Sequence, residues 1–107
     1  MRRVDIGRTV DYEKLETALV KAAEEVGWKA RFQDQFRKSY RLGSVKEVQD
    51  YEVTEVFLKG RLFNAMQVNI YGKKPTDRFY VWTGFPHGRA SERKVQEYLS
   101  AVSRNLL

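Results

Sequence analysis

Between Trp28 and Phe85 large apolar and polar residues alternate in short runs, and an amphipathic helical pattern stands on either side. On the N-terminal side Tyr12, Leu15, Leu19, Ala22 and Val26 recur at three- and four-residue steps, which puts them on one helix face. Asp11 stands where an N-cap belongs, and Glu13 adds negative charge to the first turn. Val10 and Leu15 form a staple across the cap, and Gly27 closes the helix. A second helix follows from Ser91 as N-cap, with Val95, Tyr98, Leu99, Val102 and Leu106 along its apolar face. Both helices need a surface to pack on.

The middle of the chain supplies it. Ala30 and Phe32, then Phe36, Tyr40 and Leu42, stand two apart with Lys29, Arg31, Arg37 and Arg41 between them, the pattern of a half-buried strand. Gln33 to Gln35 then reads as a tight turn. The polar stretch Gly43 to Asp50 leads to a strand over Tyr51 to Leu58, and Lys59-Gly60 reads as a two-residue hairpin turn using positive φ at the glycine. Beyond it Leu62, Asn64, Met66, Val68 and Ile70 occupy one face, with Phe63, Gln67, Asn69 and Tyr71 on the other. Gly72 to Asp77 turns into a last strand over Arg78 to Thr83, and Arg2 to Arg8 adds an edge strand. The connections are short and the helices are segregated to the ends. The expectation is therefore one α+β domain over residues 1–107: an antiparallel meander of four or five strands with both helices on one face.

A chain of 107 residues is long enough to bury roughly 60–68% of the surface it exposes unfolded, so one core suffices without staples. With no cysteine there is neither a disulfide framework nor a thiolate metal site. The opening MRRVDIGRTVDYEK lacks the apolar run of a signal peptide, and no stretch approaches the roughly 20 apolar residues of a membrane helix. A cytoplasmic protein with no membrane partner is expected. The 20 Lys and Arg against 14 Asp and Glu give a net charge of +6, which favours polyanionic partners. The charge is uneven: Lys29, Arg31, Arg37, Lys38 and Arg41 crowd one segment against Asp34 alone, whereas Glu47, Asp50, Glu52 and Glu55 crowd another.

Period-two alternation sends Lys29, Arg31, Arg37, Arg41, Gln67, Asn69, Tyr71, Tyr80 and Trp82 to the sheet face turned away from the helices. Cations interleaved with aromatic rings suit single-stranded RNA or DNA: Arg31, Arg37 and Arg41 neutralise phosphates, Tyr71, Tyr80 and Trp82 stack on bases, and Asn69 lies among them. The alternative use of the same face is docking, of an acidic protein partner or of a second copy in a homodimer. The segment Gly84 to Ser91 leads into the positive end of the second helix. His87, Arg89, Arg93 and Lys94 gather there as an anion-binding set, at a place where positive charge otherwise opposes the helix dipole. His87 is the only histidine, and no nucleotide, metal or nucleophile motif surrounds it. The expected function is binding without catalysis, and no cofactor or metal is called for.

Overall fold

The computed structural model describes residues 1–38, 50–72 and 74–107. The expectations placed on Tyr40, Arg41, Leu42 and the connection from Gly43 to Gln49 lie outside the described residues. In chain order the elements are β1 (Arg2–Val10), α1 (Tyr12–Glu25), β2 (Lys29–Lys38), β3 (Asp50–Lys59), β4 (Asn64–Tyr71), β5 (Thr76–Trp82) and α2 (Glu92–Asn105). The five strands form one antiparallel sheet in the order β1-β5-β4-β3-β2. Strands β2 to β5 are the expected meander, and β1 is the expected edge strand, seated beside β5. The fold is α+β.

Register explains how one face became the core. Phe32, Val56, Val68 and Val81 stand opposite one another across four strands, as do Leu58 with Met66 and Val4 with Phe79. These side chains pack with Leu15, Leu19 and Ala22 of α1 and with Val95, Tyr98 and Val102 of α2, so both helices cover the same face. Ser91 caps α2 by accepting a hydrogen bond from the Lys94 amide at 3.2 Å, and Gly27, at φ 82°, closes α1. Asp11 has the extended backbone of an N-cap but makes no side-chain capping bond. Strand β1 holds α2 at both ends. Arg2 meets Glu92 at 2.9 Å, and the Arg8 guanidinium donates to the Leu106 carbonyl.

Two local expectations are corrected. Gln33 to Gln35 is not a turn: β2 runs through it without a break, with Asp34 opposite Thr54. The polar triplet sits in a strand because its backbone joins the ladder and Asp34 has a partner. Its carboxylate accepts from Thr54 Oγ1 at 2.8 Å, and Thr54 in turn takes the buried Tyr12 hydroxyl at 2.7 Å. The β3–β4 connection is also longer than two residues. Strand β3 ends at Lys59 and β4 begins at Asn64, and the Gly60 amide donates to the Phe63 carbonyl at 2.8 Å across a four-residue loop. Gly60 is not among the glycines with positive φ, so the loop is not the primed turn that the Lys-Gly pair suggested. Leu62 and Phe63 consequently sit exposed in the loop rather than in a strand.

Candidate nucleic-acid interface

Two rows of side chains cross the sheet on the face opposite the helices. Arg31, Phe57, Gln67 and Trp82 are successive register partners, and Gln33, Glu55, Asn69, Tyr80 and Arg3 form the next row. Their place follows from alternation with the core positions Phe32, Val56, Val68 and Val81. Arg31 lays its guanidinium 4.7 Å from the centre of the Phe57 ring, a cation–π contact that keeps the charge over the sheet. Tyr71 meets Tyr80 edge to face at 5.2 Å, and the Trp82 ring packs 5.0 Å from His87.

The centre of this face is not a solvated carpet. Glu55, Gln67 and Asn69 are only 5%, 9% and 5% exposed, and the Gln67 amide nitrogen donates to the Glu55 carboxylate and to Asn69 Oδ1, both at 2.8 Å. Asn69 therefore faces outward as alternation requires but is buried among its neighbours. The Trp82 indole nitrogen is buried beside this network and has no acceptor among the described residues. Of the other residues expected here, Arg31, Tyr71, Tyr80 and Trp82 share the face. Arg37 lies in β2 opposite Tyr51, and Arg41 falls outside the described residues.

One end of the sheet gathers five of the cations that the fold leaves without a counter-ion; among the described residues Arg8 on β1, Lys14 and Lys21 on α1, and Lys74 before β5 also lack one. At that end β2 begins, β3 ends and β4 begins, with Lys29 opposite Lys59 and Lys59 opposite Asn64. The segment after β5 folds back onto the same end. The Arg89 amide donates to the Asn64 carbonyl at 2.8 Å, and Ala90 to the Ala65 carbonyl at 3.1 Å. This places the Arg89 guanidinium 4.4 Å over the Phe63 ring. Most of the other arginines are engaged by acids: Arg2 by Glu92, Arg3 by Asp5, Arg78 by Asp77, Arg104 by Glu25 and Arg93 by Glu97. Among the described residues, Lys29, Arg31, Lys59, Arg61 and Arg89 have no carboxylate within ion-pair distance.

The four residues expected to form an anion site do not converge. His87 turns to Trp82 and Arg89 to Phe63, while Arg93 and Lys94 reach Glu97 at 3.6 and 3.5 Å. The Lys94 amide at the helix start is already held by Ser91. Arg89 instead joins Lys59, Leu62, Phe63, Asn64 and Phe85 around an open cleft of about 360 Å³. Lys59, Arg61, Phe63 and Phe57 went unread as site residues. The signal was present in Lys59-Gly-Arg-Leu-Phe63, but a two-residue turn would have buried that run inside a strand. Among the described residues no three His, Cys, Asp or Glu side chains form a group able to hold a metal ion, and no helix is long and apolar enough to cross a membrane. Comparison with protein-family models, with curated proteins and with solved structures finds no match.

Proposed function

We propose that this chain binds single-stranded nucleic acid, RNA or DNA, over the open sheet face and the basic end that borders it. The observation that carries this reading is the sorting of charge. Lys29, Arg31, Lys59, Arg61 and Arg89 lack carboxylate partners and share one end of the sheet, and two of them, Arg31 and Arg89, sit over aromatic rings. Cations left unneutralised beside aromatic side chains fit a ligand that brings phosphates and flat bases together. Tyr71, Tyr80 and Trp82 offer further ring surface on the same sheet face as Arg31. Unpaired bases are favoured over a duplex because a stacking platform needs a base face exposed to it.

Self-association through the basic end is the weaker reading. A two-fold interface brings each patch against its own copy, which would set these cations against one another without an acid between them. Docking of an acidic protein satisfies the charge but gives the rings no particular task.

The test is fluorescence anisotropy with labelled single-stranded RNA, single-stranded DNA and duplex DNA, with light scattering on the same samples. Saturable binding that prefers single strands and weakens in Arg31→Ala and Trp82→Ala is the expected result. A base stacked on an aromatic ring contributes about 1–3 kcal/mol, so Trp82→Ala should cost about fivefold or more in affinity. Absence of binding at low salt together with a dimeric mass would overturn the reading in favour of assembly.

A further inference from the structure

We infer that the cleft between the β3–β4 loop and the loop after β5 is a pocket for one nucleotide unit, taking its base between aromatic walls and its phosphate on Lys59 and Arg89. This rests on the nucleic-acid reading but concerns a different place from the sheet face. At about 360 Å³ the cleft lies within the range of small-ligand sites, roughly 300–1,000 Å³.

Its chemistry is divided as a nucleotide is. Phe85 is 94% exposed and Phe63 51%, so neither ring contributes its full apolar surface to the core, and both line the cleft. With exposed Leu62 they line the same cleft, a gathering of exposed apolar side chains that scattered surface residues do not make. The Arg89 guanidinium already lies 4.4 Å from the centre of the Phe63 ring, and a guanidinium can likewise stack on a base. Lys59 and Arg89, neither paired with an acid, supply charge for the phosphate. Asn64 in the lining carries both a donor and an acceptor for a base edge. An acidic peptide would satisfy the cations, but its carboxylate side chains lack the flat ring.

The wall is also set before any ligand arrives. A Cβ on Gly88 would stand 2.0 Å from the Ala65 carbonyl oxygen, so this loop lies directly on the start of β4, tied there by the Arg89 and Ala90 amides. A pre-formed pocket loses little ordering entropy on binding. Continuity with the sheet face comes from His87, which packs on Trp82 while its neighbours Pro86 and Gly88 line the cleft. A strand leaving the face past Trp82 thus meets the cleft next.

The experiment is an NMR titration of the ¹⁵N-labelled full chain with adenosine 5′-monophosphate, adenosine and ribose 5-phosphate in parallel. The monophosphate should give saturable shifts confined to the amides of Gly60 to Asn64 and His87 to Arg89. Adenosine and ribose 5-phosphate should each bind at least about fivefold more weakly, and Phe85→Ala should cost the monophosphate about fivefold or more. Phe85 is so exposed that its removal leaves the fold standing, and Lys21→Ala on α1 serves as the unaffected control. No saturable shift at those amides would overturn the assignment. So would equal binding by ribose 5-phosphate, or indifference to Phe85→Ala. If the cleft takes the monophosphate while oligonucleotides bind no more tightly and ignore Trp82→Ala, the sheet-face reading fails and the pocket stands. If oligonucleotides bind through Trp82 while the cleft amides stay still, the pocket fails alone.

Discussion

Gly88 couples the fold to the candidate site through a single missing atom. A methyl group there would meet the Ala65 carbonyl carbon at 2.2 Å and the Met66 amide nitrogen at 2.6 Å, both backbone atoms that a side-chain rotation does not move. Gly88→Ala should therefore lift the loop off β4 and break the Arg89–Asn64 and Ala90–Ala65 hydrogen bonds. A loss of about 2 kcal/mol or more is expected, read as a lower urea midpoint at unchanged slope. The same variant should show larger amide shifts around Asn64 than around the Tyr12–Thr54–Asp34 chain in the middle of β3. If its stability equals that of the parent, the close approach of loop and strand is not a constraint. Little of this was readable in the chain. The Gly84 to Ser91 segment stood out by composition, and Ser91 announced itself as a cap by position alone. What Gly88 does depends on a strand more than 20 residues away, which no local pattern encodes.

Among the elements, β1 and α2 are matched in length. From Arg2 to Arg8 an extended strand advances about 20 Å, and from Glu92 to Leu106 a helix advances about 21 Å. Two arginines of one strand can thus hold both ends of one helix. Arg2 pairs with the acidic first turn and Arg8 meets the carbonyl end, where a cation favours the helix dipole. Glu25, the last residue of α1, ties that helix to α2, accepting from Asn105 and Arg104 near the end of α2. These bonds hold both carboxyls below their ordinary range: Glu25 chiefly through Asn105 and then Arg104, Glu92 chiefly through Arg2 and then Gln96. A lowered native pKa means that the unfolded chain takes up protons first. The stabilisation is then complete above the ordinary glutamate value of 4.5 and is lost as pH falls through the lower native values. Denaturant midpoints measured from about pH 7 down to about pH 3 should fall. The double variant Glu25→Gln, Glu92→Gln should show a shallower fall than the parent. An identical acid profile in the two proteins would mean that these exposed pairs contribute nothing to the packing of α2. Helix positions and caps were legible because their period is local. The uninterrupted course of β2 was not, because the partner that makes Asp34 acceptable in a strand, Thr54, lies across the sheet.

At the scale of the whole molecule, a net charge of +6 favours polyanionic partners without saying which surface would meet them. Pairing sorts it. Arg2 and Arg3 on β1, Arg78 on β5, and Arg93 and Arg104 on α2 are taken up by the fold's own acids, while five cations without such a partner, at the head of β2, the end of β3, the β3–β4 loop and the post-β5 loop, share one end. The sequence pattern placed the open face correctly for Arg31, Tyr71, Tyr80 and Trp82 because alternation by two is a property of each strand. It missed the basic end because that end is assembled from three loops and strand termini whose meeting depends on register. This sorting predicts which lysines and arginines a bound strand neutralises. Each phosphate contact to single-stranded nucleic acid adds about 0.7 to the slope of log affinity against log salt. Arg31→Ala, Lys59→Ala and Arg61→Ala should therefore each flatten that slope by about 0.7, measured by anisotropy across a salt series. Lys14→Ala and Lys21→Ala remove the same formal charge from the exposed side of α1, away from the open face, and should leave the slope as it is. Equal flattening by all five substitutions would mean that the ligand responds to net charge alone, and the basic end would then have no privileged role. Flattening confined to the first three would assign the phosphate path to the end of the sheet where β2, β3 and β4 meet.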